Sequence, residues 1–180
     1  GSGGGGGASR GGGSGAGAIK IVATGTLTID GDIWAIGGQG GKVTSSANPP
    51  TVGGSGSGGG IYLKAPDLII QTGVIISANG GAGANGITGT AGNSSDGGEA
   101  GAAAGGGGRI YLEASQSLVN HASVTHSNLT ASGGQSAGAR HGTDGTVKII
   151  RPQVSSLTFT TGTLTIDTDK AEINHSDGSF

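Results

Sequence analysis

The sequence contains no cysteine and no methionine in its 180 residues. Without cysteine the chain has no disulfide, no thiolate ligand for a metal and no thiol nucleophile. Aromatic residues make up 3% and charged residues 11%, so any core is thin and aliphatic. The nine Lys and Arg residues are scattered along the chain, whereas nucleic acid requires a concentrated basic face. No hydrophobic run approaches the length of a membrane span. We therefore expect neither a nucleic-acid partner nor a membrane span.

The chain begins inside a glycine tract and has no initiating methionine. We expect it to be a processed or observed portion of a longer secreted protein, located outside the cell or at the cell surface. The lack of cysteine is compatible with this location, because nothing in the chain depends on the redox state of its compartment.

Glycine dominates the composition, with 44 copies. The glycine-rich tracts lie at residues 1–17, 37–60, 80–108 and 133–145. In the third tract glycine recurs at every third position, which fits an extended helix of three residues per turn, of the polyproline II type. These residues are Gly80, Gly83, Gly86, Gly89 and Gly92, with Gly98 and Gly101 in the same phase. The four prolines are too few to preorganise a collagen triple helix, so we predict polyglycine II-like packing instead.

Short aliphatic strands recur between the glycine-rich tracts. Each strand module opens on a similar triplet, and the first three close on an aliphatic-x-Ala-x-Gly-Gly motif. The heptapeptide TGTLTID occurs at 24–30 and again at 161–167, which indicates that the C-terminal segment belongs to another module. The modules cover about residues 18–38, 60–81, 108–134 and 146–174, with openings at Ile19, Ile61, Ile110 and Val147 and closings at Ile33, Ile76 and Leu129.

Apolar and polar residues alternate in the modules with a period of two, which is typical of strands. No helical periodicity is present, and glycine and β-branched residues disfavour helix. We predict an all-β fold with essentially no α-helix: a single repetitive domain of stacked β-strand modules, or β-solenoid, with polyglycine II-like tracts. If the modules stack in register, Tyr62 lies beside Tyr111 between Lys20 and Lys148, and Lys64 lies opposite Glu113. The side chains expected to face inward are Ile61, Leu63, Ala65, Ile110, Leu112 and Ala114.

No motif identifies a catalytic residue or a cofactor site. The pattern at 81–86 matches a dinucleotide-binding fingerprint, but glycine follows it in place of the helix that would bind a pyrophosphate. Asp30 and Asp32 flank Gly31 and are weak candidates for holding a cation; the alternative is that they are turn residues accepting backbone hydrogen bonds. Carboxylates occur singly, whereas glycoside cleavage requires a pair. We predict no enzymatic activity and no cofactor.

The runs GGGIYLKA at 58–65 and GGGGRIYL at 105–112 resemble the glycine-rich repeats of very large secreted bacterial surface proteins. The glycine tracts also resemble the polyglycine II sandwiches of phage tail-fibre tip adhesins. The resemblance implies an extracellular, repetitive protein with a structural or adhesive role, and it assigns no functional residue.

The leading functional hypothesis is a structural subunit or repeat segment of an extracellular fibre, sheath or surface layer. It would self-associate by strand stacking and glycine-rich backbone packing, since an unpaired strand edge templates another chain. The alternative is an adhesin-type module that binds surface glycans or, less favoured, ice. Its contact residues would be the aromatic side chains Trp34, Tyr62 and Tyr111.

Overall fold

The computed structural model describes residues 1–6, 11–41, 53–83, 103–120, 128–136 and 140–152. These residues contain eight β-strands and no helix, which confirms that the chain is mostly β. The strands are β1 (Ala18–Val22), β2 (Thr26–Ile29), β3 (Ile33–Trp34), β4 (Gly60–Ile70), β5 (Ile76–Ser77), β6 (Arg109–Asn120), β7 (Leu129–Thr130) and β8 (Thr146–Ile150).

All of the strand pairs are parallel, and they form two sheets. The larger sheet has the order β1-β4-β6-β8, with β2 also pairing with β4, and the smaller sheet has the order β3-β5-β7. The predicted in-register stacking of the module openings is confirmed: Ile19 pairs with Ile61, Ile61 with Ile110, and Ile110 with Val147. The three closing motifs pair in the same way in the smaller sheet.

Pro66 explains a break in the larger sheet. Proline cannot donate to the strand ladder, so within a sheet it is confined to edges, strand starts and bulges. Here the register between β4 and β6 shifts between Ala65 and Asp67. On the other side of β4, β1 ends opposite Lys64 and β2 begins opposite Asp67. The central strand is therefore continuous, while its partners on both sides adjust around the missing N–H.

The core lies between the two sheets and is aliphatic. Leu63 and Leu68 of β4 and Ile76 of β5 have no exposed surface, and they belong to one packed cluster. The predicted inward positions are confirmed, since all six side chains are at most 2% exposed. The six are Ile61, Leu63, Ala65, Ile110, Leu112 and Ala114.

The glycine-rich segments bond to one another through their backbones with a three-residue period. In segment 53–60, every third N–H donates to the same neighbour: Gly53, Gly56 and Gly59 donate to segment 35–41. Gly54 and Ser57 donate to segment 1–6, and Gly60, the next residue in that phase, donates to Gly17. Ser55 and Gly58 donate to segment 103–108. One extended segment is thereby tied to three others, which a flat strand with two hydrogen-bonded neighbours cannot do.

A series of backbone hydrogen bonds connects one residue in each of seven segments, and we call this series the glycine relay. Each of the first six members donates its N–H to the carbonyl oxygen of the next member, at distances of 2.7–3.0 Å. In order, the relay runs Gly142, Gly134, Gly105, Gly81, Gly56, Gly38 and Ser14.

Ser55 occupies a position in the glycine segments where its hydroxyl makes hydrogen bonds. Ser55 is 7% exposed, and its Oγ accepts the N–H of Gly40 and donates to the carbonyl oxygen of Ala82. The side chain thus links two neighbouring segments. Among the described residues, no buried side-chain polar atom lacks a hydrogen-bond partner.

Part of the repeat falls outside the described residues. The second TGTLTID copy at 161–167 lies there, and so do all members of the glycine phase beyond Gly83. Of that phase, Gly80 and Gly83 are described, and they donate to Ser132 and Gln135 of a single neighbouring segment.

Candidate functional site

The outward side of the larger sheet carries four of the six Lys and Arg residues in the described part of the chain, together with both tyrosines. We call it the tyrosine face; it comprises Lys20, Tyr62, Lys64, Arg109, Tyr111, Glu113 and Lys148. These residues come from β1, β4, β6 and β8, and the parallel register places them in rows across the strands. Alternation with the buried aliphatic residues turns them away from the core.

The central row of the tyrosine face is a stack of two rings between two cations. The ring centroids of Tyr62 and Tyr111 lie 5.1 Å apart, with an angle of 14° between the planes. Lys20 Nζ lies 5.6 Å from the Tyr62 centroid and Lys148 Nζ 5.7 Å from the Tyr111 centroid. These distances are in the range of cation–π attraction. The predicted order of the four residues is confirmed, and it leaves each ring covered on both sides.

The neighbouring row holds an ion pair. Lys64 Nζ lies 2.7 Å from Glu113 Oε1, with side chains 46% and 23% exposed, and the Tyr62 hydroxyl donates to Glu113 Oε2 at 3.1 Å. The hydrogen bond with Lys64 lowers the pKa of Glu113 and raises that of Lys64. Partial burial, followed by the bond to Glu113, raises the pKa of Tyr62. The pair confirms the predicted placement of Lys64 opposite Glu113.

Beside the stack lies an open depression of about 550 Å³. Its lining includes Ala18, Lys20, Gly60, Tyr62, Arg109 and Tyr111. Gly60 contributes no side chain, and a Cβ built there would be 4.0 Å from its nearest neighbour. The missing side chain at Gly60 therefore helps to keep this part of the surface concave.

The sequence analysis missed this grouping of cations. The scatter of basic residues along the chain predicts no concentrated basic face. This prediction is wrong for four of them: Lys20, Lys64, Arg109 and Lys148. In the structure these four lie on the tyrosine face, and the described residues contain six Lys and Arg in all. The signal was available in the repeat, because aligning the module openings places Arg109 beside Gly60 and Lys148 beside Tyr111.

Trp34 lies on the smaller sheet, apart from the two tyrosines. It belongs to β3, in register with Ser77 of β5, and its side chain is 63% exposed. The structure thus joins two of the three predicted aromatic contacts and separates the third from them.

The structure gives Asp32 the role of a turn residue. Its Oδ1 accepts the N–H of Ile75 at 2.8 Å, which fixes the corner between β2 and β3 against the next module. Asp30 lies at the end of β2 and is exposed. The described residues contain no group of three or more His, Asp or Glu side chains arranged to hold a metal ion.

Within the described ranges there is no helix long and apolar enough to cross a membrane. Comparison with protein-family models, curated proteins and solved structures finds no match to this chain.

Proposed function

We propose that the chain is a structural segment of an extracellular fibre, sheath or surface layer. Its β modules stack as turns of a solenoid, and its glycine segments pack as polyglycine II. The hydrogen bonds of segment 53–60 support this packing, because donation by every third N–H to the same neighbour requires about three residues per turn. Assembly then extends the same stacking from one copy to the next.

The observation that carries the proposal is that one end of the stacked strands has unpaired edges beside exposed apolar side chains. β1 and β3 are the first strands of their sheets, and among the described residues each pairs on one side. Four large hydrophobic side chains are exposed in the described residues, and three of them lie on or beside these two strands: Val22, Trp34 and Ile36. An open strand edge with apolar side chains favours the addition of another strand.

The other end of the stack supplies a complementary surface. β8 and β7 are the last strands of the two sheets, so joining them to β1 and β3 of a second copy would continue both parallel sheets. Such a head-to-tail contact uses different surfaces on the two copies. Because it does not close on itself, it generates a filament.

The lysines at the two ends oppose this contact. Continuing the register would bring Lys148 of one copy beside Lys20 of the next, and like charges opposite one another destabilise a strand pair. Salt screens exposed charges over about 8 Å at physiological ionic strength. We expect assembly of the wild-type protein to increase as the salt concentration rises.

Charge reversal at one end provides the experiment. Lys148→Glu would place a carboxylate opposite Lys20 across the contact, as Glu113 lies opposite Lys64 within the chain. We expect this variant to form longer filaments than the wild type at low salt, as measured by sedimentation velocity and negative-stain electron microscopy. The double variant Lys20→Glu/Lys148→Glu restores like charges and should return to the wild-type behaviour.

The exposed apolar residues supply a matched control for the same measurement. Trp34→Ser should reduce assembly, whereas Ile75→Ser should not, because Ile75 is similarly exposed, at 41%, but lies beside β5, inside the stack. If wild type and Lys148→Glu both remain dispersed monomers at every salt concentration, end-to-end assembly is wrong.

A glycan-binding module is the second candidate, and the exposure of Trp34 favours it. An uncovered indole can stack on the apolar face of a sugar ring, whereas the stacked tyrosines offer only their edges. On this account, glycan-array binding by the monomeric protein would disappear in Trp34→Ala. Retention of the binding would place the contact elsewhere.

A further inference from the structure

The tyrosine face has an excess of positive charge on a chain whose net charge is −2. One of its four cations, Lys64, is paired with Glu113. Among the described residues, no carboxylate lies within 4.0 Å of the charged groups of Lys20, Arg109 or Lys148. The face therefore presents three exposed positive charges that the described part of the chain does not neutralise.

Two of these charges border the open depression. Lys20 and Arg109 both line it, together with the two tyrosines. A guanidinium can hold a carboxylate or sulfate through two parallel hydrogen bonds, and an ammonium acts as a mobile point charge. The depression is therefore suited to an anionic group with hydrogen-bonding neighbours.

Because the tyrosine rings are covered, the tyrosine face favours some polyanions over others. Single-stranded nucleic acid gains much of its affinity from bases that stack on aromatic faces. Tyr62 and Tyr111 cover one another, and the lysines cover their outer faces. A base would find no open ring. A polymer of acidic sugars needs only cations and hydrogen-bonding edges, and the tyrosine face provides both.

We propose that the tyrosine face binds an acidic polysaccharide, with a carboxylate or sulfate group held between Lys20 and Arg109. Sugar hydroxyls meet the edge of the tyrosine stack, and Lys148 extends the positive surface across the sheet. All of these residues belong to one copy, so the site needs no second copy to form. Lys20 lies on the end strand β1, whereas Gly60 and Arg109 lie on the inner strands β4 and β6.

Two variants alter the site without touching the ends of the stack. Arg109→Gln removes one of the two charges that border the depression. Gly60→Val fills the depression, since a Cβ there meets no atom closer than 4.0 Å and a β-branched residue suits a strand. Arg140→Gln is the matched control: it makes the same substitution at an exposed arginine in a glycine segment.

The experiment measures binding of full-length protein to polygalacturonate by isothermal titration calorimetry, with dextran as the neutral polymer and a single-stranded DNA oligonucleotide as the second polyanion. We expect salt-sensitive binding to polygalacturonate, weak or no binding to dextran, and weaker binding to DNA. Arg109→Gln should lose about tenfold in affinity, the size expected for one charge-assisted hydrogen bond, and Arg140→Gln should lose little.

Several outcomes would overturn the proposal. Equal binding to polygalacturonate and dextran would remove the role of charge, and equal or tighter binding to DNA would make the face a general polyanion or nucleic-acid surface. Equal losses in Arg109→Gln and Arg140→Gln would place the site elsewhere. Thermal unfolding of each variant checks its fold, and if Gly60→Val does not fold, the two arginine variants decide the question.

Discussion

At the scale of single residues, the glycine segments contain two kinds of position. At Gly105 an added Cβ would overlap the carbonyl oxygen of Gly56, a backbone atom that cannot move aside without disturbing the relay. At the adjacent Gly106 the nearest atoms are 3.7 Å away, which is ordinary van der Waals contact. Glycine is therefore a packing requirement at the first position and is replaceable at the second.

This contrast gives a prediction for two adjacent substitutions. Gly105→Ala should lower the free energy of unfolding by about 1–3 kcal/mol, the usual cost of overpacking. Gly106→Ala should be neutral or stabilise slightly, because alanine reduces the freedom of the unfolded chain. Urea denaturation of both variants measures the difference, and equal effects would mean that the segments are not packed as described.

The pKa shift of Glu113 predicts how stability changes at acid pH. Its pKa is lowered mainly by the hydrogen bond with Lys64, so the folded state favours the charged carboxylate. The resulting stabilisation is present above the ordinary carboxyl pKa and is lost as the pH falls through the lowered value. We expect thermal unfolding of Glu113→Gln to depend less on pH than the wild type between about pH 5 and pH 2. Identical acid profiles would contradict the pairing.

At the scale of elements, the strands and their register follow from the sequence. Period-two alternation gives each strand its buried face, and the similar module openings fix which strands lie side by side, as with Ile61 and Ile110. The bulge at Pro66 follows from proline chemistry once the strand is known to be central. These features are predictable because the alternation of apolar and polar side chains and the repeated module openings are visible in the sequence.

Which glycine segments lie side by side could not be predicted in the same way. A glycine has no side chain to mark which direction it faces, so nothing in the sequence states that Gly56 donates to Gly38 and accepts from Gly81. The depression was missed for a related reason. The register that places Arg109 beside Gly60 follows from the repeat, but the concavity depends on an absent side chain at Gly60, which no pattern of side chains marks.

The corners between strands give a second matched prediction. Gly73 connects β4 to β5 with φ of 84°, and the carbonyl of Gln71 accepts the N–H of Val74 across the turn. Gly31 occupies the corresponding corner between β2 and β3, without positive φ and with no atom within 4 Å of an added Cβ. Only the first corner requires a left-handed residue.

We therefore expect Gly73→Ala to lower the free energy of unfolding by about 1–2 kcal/mol, the cost of a left-handed conformation for an L-residue. Gly31→Ala should change it by less than about 0.5 kcal/mol. Differential scanning calorimetry of the two variants tests this, and a larger loss for Gly31→Ala would show that the corners are assigned wrongly.

At the scale of the whole molecule, two features stabilise the fold: a thin aliphatic core and the hydrogen-bonded glycine segments. Glycine loses more backbone entropy on folding than other residues, so its ordering has to be offset by hydrogen bonds made in several directions. The glycine relay supplies these bonds and spans the described molecule from Gly142 to Ser14. The central claim is that this relay is an ordered structure.

Residue-resolved amide hydrogen exchange, measured by nuclear magnetic resonance, tests that claim most directly. The N–H groups of Gly38, Gly56 and Gly81 lie within the relay, whereas Gly25 and Gly31 are exposed corner residues. We predict that the three relay glycines exchange as slowly as the buried strand residue Leu63, and that Gly25 and Gly31 exchange at rates near those of an unfolded chain. Fast exchange at all five glycines, with protection confined to the β-strands, would contradict the account.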